Sequence, residues 1–348
     1  MTKLEVEIDG SQGEGGGQVL RTALGLAAVT GKGLRVDRIR ARREKPGLMR
    51  QHLACVLAAA DVTGARVSGA SIGSTSVSFE PGPVTHGDRT FSIGTAGATA
   101  LVLQTVLPPL LLTPGRSRLV LEGGTHGRMA PPSDFIERAF LPLLRRMGAS
   151  VDVVAARLGF FPAGGGRLVV DVEGGRPLSG LCLLSRGALQ RMHARALVAN
   201  LPLEIGRREL GALRARLPGL RDDDVEVVAV DAAGPGNALV LDLQFEQLTE
   251  VVSAFGDRKT RAEAVVDDLA AQAQALIDAD VPVGLHLADQ LVLPLALAAC
   301  FGSGGGSFRT LPPTLHTRTN IAVIQRFLDV DIAVHDDDKA TRIDVSKR

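Results

Sequence analysis

Tryptophan and tyrosine are both missing from this 348-residue chain, and 11 phenylalanines supply all its aromatic carbocycles. That disfavours a reader of single-stranded RNA that stacks many bases on aromatic platforms; phosphate and sugar contacts would have to do more of the binding. Cysteine is scarce too. Cys55, Cys182 and Cys300 are widely spaced, form no CxxC or zinc pattern, and as an odd, sparse set fit a reducing cytosol. Neither sign of charge dominates, with 39 basic against 38 acidic side chains, so any nucleic-acid surface must be a local patch. Apolar runs break before the ~20 residues needed to span a bilayer, and the opening MTKLEVEID lacks a secretion signal's basic start and apolar run. The expectation is a soluble, cytoplasmic protein with no membrane partner.

What is present is self-similarity. A strand at 3–9, a helix at about 16–30, the strand LRVDRI, the helix GLMRQHLACVLAAADVTG and strands at 65–69 and 75–80 give the order βαβαββ. The order recurs through RTFSIG, ATALVLQTVLPPLLL, SRLVLEGG, PPSDFIERAFLPLLRRMG, SVDVVAA and GRLVVDVE. A third copy opens with a strand near 178–185 and resumes at HLADQLVLPLALAACFGSGG, continuing through SFRTL, TNIAVIQRFL, IAVH and ATRIDV. Between them, 186–280 reads as an inserted small α+β domain, with strands at 193–199, 225–230 and 238–244 and a helix at 260–279. Its charge-rich RRELGALRARLPGLRDDD reads as a solvated helix and loop. The fold class predicted is α/β: three βαβαββ repeats, residues 1–185 and 281–348, sharing one core.

The glycine-rich IDGSQGEGGGQVLRTALGL matches neither common phosphate motif. GLAAVTGKG has one residue too many for a Walker A loop and a glycine after the lysine, and GEGGGQ ends in glutamine where a dinucleotide fingerprint needs glycine. Two readings remain. One is a tight turn packed by glycines. The other is an anion seat at a helix N-terminus, where Glu14 would need a divalent cation between itself and phosphate, and Gln18 and Arg21 share a face. DRIRARREKPGLMRQH is locally basic; if extended, Arg38, Arg40 and Arg42 point the same way and suit a polyphosphate or RNA end, or form a solvated strand edge. Gln51 and His52 open the next helix towards the same cleft or onto ordinary surface. In GGTHGRMAPPSDFIE, Ser133 is a possible helix cap and His126 and Arg128 are candidates to reach the cleft. Asp289 and Gln290 sit in the first turn of an apolar helix, as ligands or caps, and His316 just precedes another helix, flanked by Thr317, Thr319 and Asn320.

Taken in order, GSQGEGGGQVLRTAL, IRARREKPGLMRQHL, VLQTVLPPLLL, GGTHGRMAPPSDF, GFFPAGGGRL, HLADQLVLPLALA and HTRTNIAV resemble the RNA 3'-terminal phosphate cyclases over nearly the whole chain. The resemblance implies three βαβαββ units like the C-terminal domain of a translation initiation factor, with a small domain inserted in the third. It also implies ATP-dependent conversion of an RNA 3'-phosphate to a 2',3'-cyclic phosphodiester, with AMP and pyrophosphate released and a divalent metal, Mg or Mn, as cofactor. By motif, His316 would be the nucleophile that accepts adenylate, and Glu14 would help hold the metal. Gln18, Arg21, Arg40, Arg43, Gln51 and His52 would line the phosphate and RNA-end cleft. Gln104 and the run His286, Leu287, Ala288, Asp289 and Gln290 would hold ATP, with Pro131 and Phe255 as walls of the base pocket. The chain departs from the family at His286, where an aromatic is common, and at His126, where an acidic residue is usual. Two rivals follow from the fold: a non-catalytic relative acting in ribosome assembly, and a small-molecule enzyme akin to the enolpyruvyl transferases.

Overall fold

The computed structural model describes residues 4–257, 259–337 and 340–348. The first repeat runs β1 (Leu4–Asp9), α1 (Gly17–Thr30), β2 (Gly33–Asp37), α2 (Arg50–Thr63), β3 (Arg66–Ser68) and β4 (Val77–Glu80). Residue 3, expected in the first strand, lies outside the described residues. The second repeat runs β5 (Gly87–Ser92), α3 (Thr99–Leu112), β6 (Gly115–Gly123), α4 (Ser133–Phe135), a π-helical turn (Ile136–Phe140), α5 (Leu141–Arg146), β7 (Ser150–Arg157) and β8 (Gly166–Gly174). The third begins with β9 (Cys182–Leu183), far shorter than the expected strand. After it come β10 (Leu189–Ala199), α6 (Glu204–Arg216), β11 (Val225–Ala229), β12 (Gly236–Phe245), β13 (Thr249–Phe255) and α7 (Ala262–Ala279). The third repeat then resumes with α8 (Leu285–Phe301), β14 (Gly306–Thr310), α9 (Leu315–Phe327), β15 (Val330–Asp336) and β16 (Thr341–Lys347).

Each repeat closes a four-stranded sheet of the same order: β1-β2-β4-β3, β5-β6-β8-β7 and β9-β14-β16-β15. In all three the first two strands are parallel and the rest antiparallel. A parallel pair needs a crossover rather than a hairpin, and α1, α3 and α8 are those crossovers. All three are apolar around most of their circumference. Residues 18–28 of α1 are all buried, as expected of a helix enclosed by neighbours rather than lying on a surface. A single hydrophobic core spans the three repeats, while a second cluster fills the inserted unit, whose sheet order is β11-β10-β12-β13.

Two expectations about the insertion are corrected. The strand at 249–255 was not foreseen, and RRELGALRARLPGLRDDD is not merely solvated: α6 buries Leu210, Leu213 and even Glu209 against the sheet. Glu209 is tolerated there because Asn237 Nδ2 donates to its Oε2 at 2.9 Å, and burial raises its pKa.

Glu250 on β13 has a larger effect. It is only 3% exposed, and burial pushes its carboxyl up to about 8, opposed by backbone N–H groups with no charged neighbour contributing. A carboxyl raised from an ordinary 4.5 is held neutral by the fold, so its contribution to stability is complete below pH 4.5 and is lost as pH rises through 8. At ~1.4 kcal/mol per pKa unit the difference is on the order of 5 kcal/mol. Thermal unfolding followed from pH 5 to pH 9 should show the melting temperature falling across this window. Glu250→Gln, neutral throughout, should flatten the fall; a slope unchanged in that variant would assign it to other groups.

Candidate active site

The glycine turn owes its shape to Gly13 and Gly15, both left-handed at φ 56° and 63°. Gly16 caps α1 with no side chain of its own, and the Glu14 carboxylate folds back over it, so a Cβ at Gly16 would strike Glu14 Oε2. A carboxylate at this end of α1 is favoured by the helix dipole. The turn docks on α9: Glu14 N–H donates to Thr319 Oγ1 at 3.1 Å, and that hydroxyl donates to Leu315 O at 2.6 Å. Thr319 lies three residues after His316 on the same helix face. The docking therefore brings His316 Nδ1 within 3.4 Å of Glu14 Oε2, while Arg43 Nη2 pairs with Glu14 Oε1.

Gly13→Ala tests the docking. Its Cβ would collide with Thr319 Oγ1 in a backbone conformation that costs a non-glycine residue energy as well. The variant should lose ~1–3 kcal/mol in chemical denaturation. Wild-type stability would show that the turn does not depend on this approach.

His316 stands in the first turn of α9, behind the N-cap Thr314, whose hydroxyl accepts from Thr317 N–H at 3.2 Å; it is not the cap itself. Its side chain is 41% exposed. Burial first, then the charges of Arg21, Arg43 and His286, lowers its pKa to about 4. The positive end of α9 works in the same direction. At neutral pH the ring is uncharged and one nitrogen keeps its lone pair.

Beside this pair lies a polar chain from all three repeats. Gln18 Nε2 donates to Asp289 Oδ1 at 2.6 Å, Gln290 Nε2 donates to Asp289 Oδ2 at 3.2 Å, and Gln104 Nε2 donates to Gln290 Oε1. Asn320 Nδ2 donates to the Asp289 carbonyl at 3.0 Å, and Thr22 Oγ1 donates to Asn320 Oδ1 at 2.9 Å. Asp289 is thus a hub within α8 and not a cap. Thr22, Gln104 and Gln290 are each the sixth residue of α1, α3 and α8, so the repeats bring equivalent positions to one centre. A cavity of about 70 Å³ opens beneath, polar at this end and walled by Leu107, Pro108, Leu293 and Pro294 at the other. Gln18 Oε1, buried without a partner, lies at that polar end.

Arg21 is 9% exposed and has no ion-pair partner among the described residues; burial dominates the lowering of its pKa. His52 Nδ1 accepts from Met49 N–H at 3.2 Å, leaving the neutral ring's proton on Nε2. Burial, then Arg21 and Arg40, lowers its pKa to about 3. Both side chains reach α1's start, since a Cβ at Gly17 would meet His52 Nε2 and Arg21 Nη1. Gln51 does not join them through its carbonyl: Oε1 accepts from Ala98 N–H at 3.1 Å, tying α2 to the start of α3.

The expected row of arginines does not exist. The strand stops at Asp37, and Arg38 and Arg40 both adopt φ 53°, so side chains no longer alternate along an extended backbone. Arg38 turns outward onto Asp9, Arg40 braces its own loop by donating to Lys45 O and Gly47 O, and only Arg43 meets Glu14.

On the second repeat, His126 does not reach the cleft. Its side chain is fully buried, with Nε2 2.6 Å from Asp134 Oδ2 and the ring beside Phe160 and Phe255. Arg128 donates instead to the Phe255 carbonyl and Thr260 Oγ1. Ser133 is no cap; Pro132 occupies that position. Asp134 also pairs with Arg138 and Arg195, so the carboxylate beside His126 joins the repeat to the insertion. Pro131, half-buried, precedes this cluster, and Phe255 ends β13 against the core. His286 is exposed at the start of α8, yet the protein around it still lowers its pKa. Leu287 and Ala288 bury their side chains in the core, leaving only backbone to a ligand.

A three-repeat α/β core with one polar centre, where a neutral histidine faces a carboxylate and a buried guanidinium, defines the class. Residues 12–334 match the family described as RNA 3'-terminal phosphate cyclase. Proteins carrying that name include one from Pseudomonas fluorescens, 51% identical over 327 residues (94% of this chain, 93% of the relative), and one from Ralstonia nicotianae, 50% identical over 331 (94% and 93%). A third, from Salmonella agona, is 46% identical over 344 residues, 99% of this chain and 98% of its own. This chain belongs to the RNA 3'-terminal phosphate cyclase family. Among solved structures, the enolpyruvyl transferase NikO from Streptomyces tendae aligns with all of this chain and 49% of its own, at 12% identity and a TM-score of 0.38. No helix among the described residues is long and apolar enough to cross a membrane.

Proposed function

We propose that this protein is a cytoplasmic enzyme that uses ATP to convert the 3'-phosphate end of an RNA into a 2',3'-cyclic phosphodiester, through an adenylate carried on His316. The observation that carries this reading is a neutral, half-exposed imidazole at a helix N-terminus, 3.4 Å from Glu14 and within the fields of Arg21 and Arg43.

A phosphate monoester is a poor electrophile, because its anionic oxygens repel nucleophiles and its leaving group is weak. ATP supplies the activation. With Nδ1 turned to Glu14, Nε2 of His316 attacks the α-phosphorus; a P–N bond forms and the P–O bond to pyrophosphate breaks. Arg21 and Arg43 spread the charge that develops on the departing pyrophosphate. An oxygen of the RNA 3'-phosphate then attacks the adenylate phosphorus, breaking the P–N bond and giving an RNA-adenylate anhydride. The adjacent 2'-hydroxyl next attacks the activated 3'-phosphorus, losing its proton and expelling AMP. Proximity within a five-membered ring makes this last closure easy, and its need for a 2'-hydroxyl selects RNA over DNA.

Gln104, Gln290 and Asp289 with His286 would hold the nucleotide from the α8 side, Phe255 and Pro131 would wall its base, and Gln18, Arg21 and His52 would face its phosphates. A divalent metal, Mg or Mn, fits at Glu14, whose Oε2 is buried and accepts no hydrogen bond among the described residues. The described residues hold no cluster of three or more His, Cys, Asp or Glu that would make a protein cage. Glu14, ATP phosphates and water would supply the ligands, as suits Mg. Such an ion supplies charge neutralisation on the triphosphate.

ATP turnover coupled to RNA is the test. ATP should be converted to AMP and pyrophosphate in step with cyclisation only when the RNA ends in a 3'-phosphate; 3'-hydroxyl RNA and 3'-phosphorylated DNA should not be cyclised. Consumption of ATP with a small phosphorylated metabolite instead would favour the enolpyruvyl-transferase-like alternative, and no reaction with either would leave the scaffold reading.

A further inference from the structure

The start of α8 is capped from outside the repeat that contains it. Gly284, its N-cap, has no side chain to offer, and the third residue of the helix, which in a capping box would reach back to the N-cap N–H, is Leu287. The hydrogen bond is made by Glu250 of β13: the Gly284 N–H donates to its Oε1 at 2.5 Å, across 34 residues of sequence. A Cβ at Gly284 would lie 3.2 Å from that oxygen, a tight contact that the glycine spares. Glu250 is buried, and Phe255, five residues on, ends the same strand. One strand of the inserted unit therefore fixes the first turn of α8 at one end and supplies Phe255 at the other.

We infer that Glu250 is a positioning residue for the nucleotide site, and that through it the inserted unit sets the pose of His286, Asp289 and Gln290. This gives the insertion a role in nucleotide binding without contact between Glu250 and the ligand. The inference rests on the reading that α8 holds ATP.

The hydrogen bond has a length requirement that a general structural role lacks. Glu250→Gln keeps an oxygen at the same reach, whereas Glu250→Asp withdraws it by one methylene. Self-adenylation kinetics should show the Gln variant binding ATP within about twofold of wild type. In the Asp variant KM for ATP should rise about tenfold, ~1.4 kcal/mol, with the saturated rate nearly unchanged. Hydrogen exchange provides a readout independent of ATP: amides in the first turn of α8 should exchange faster in the Asp variant and at the wild-type rate in the Gln variant. An Asp variant with wild-type KM, or a Gln variant as impaired as Asp, overturns the inference. So does a saturated rate that falls at constant KM, or exchange that is unaltered in α8. If wild type itself takes no adenylate, the ATP reading has failed, and exchange in the Asp variant still decides whether Glu250 positions α8.

Discussion

Replacing His316 with alanine will abolish the protein–nucleotide adduct and reduce cyclisation by ~10⁴-fold or more, the scale seen when a covalent nucleophile is deleted. The side chain is 41% exposed, has no structural hydrogen bond in the described residues, and follows a cap made by Thr314. Its removal should therefore leave thermal stability within about 0.5 kcal/mol of wild type, as at ordinary surface positions. Activity and stability separate only if the imidazole acts on phosphorus. Labelling with α-phosphate-labelled ATP, run beside a melting curve, checks both. Retained label would place the adduct elsewhere, and a large loss of stability would make the activity result uninformative about chemistry.

The second large effect concerns Arg21. A guanidinium that is 9% exposed and unpaired among the described residues is an unfavourable charge in the resting protein. Such a charge makes physical sense where an anion arrives to meet it. Arg21→Met retains the aliphatic stem and removes the charge, so stability in denaturant should equal or exceed wild type while cyclisation falls by ~10²–10³-fold. Arg21→Lys restores charge without the planar fork and should recover only part of the loss. A Met variant that is destabilised by several kcal/mol, with activity falling only in proportion to the folded fraction, would instead make Arg21 a structural residue. The same charge balance bears on His316: with Arg21 neutralised, one of the repulsions that keep the ring uncharged disappears.

The repeats were legible because crossover helices such as ATALVLQTVLPPLLL contrast sharply with short alternating strands. β13 was not, and the turn explains why: Glu246, Gln247 and Leu248 join β12 to β13 without glycine, asparagine or proline to mark a reversal. The arginine row failed because left-handed φ at Arg38 and Arg40 is rare for such residues and leaves no compositional trace. His126 was misplaced for a related reason. Its polar character suggested a cleft, whereas Asp134, eight residues on, supplies a buried partner.

At the site, single residues were easier to read than the contacts that order them. The spacing of His316 and Thr319 on one helix face was available in the sequence, but the docking of Gly13 and Glu14 onto Thr319, 305 residues from Glu14, exists only in the folded chain. Equivalence of Thr22, Gln104 and Gln290 became visible only once the helix starts were fixed. Glu250 gave no signal, since a glutamate set between FEQLT and VVSAF resembles any solvent-facing strand residue.

The mass of the intact protein after mixing with ATP and a divalent metal, with no RNA present, bears most directly on this account. One adenylyl group should be gained, with acid releasing it as expected for a phosphoramidate and peptide mapping placing it on His316. A protein that turns over 3'-phosphorylated RNA without ever gaining that mass, or that carries it on another residue, would contradict it.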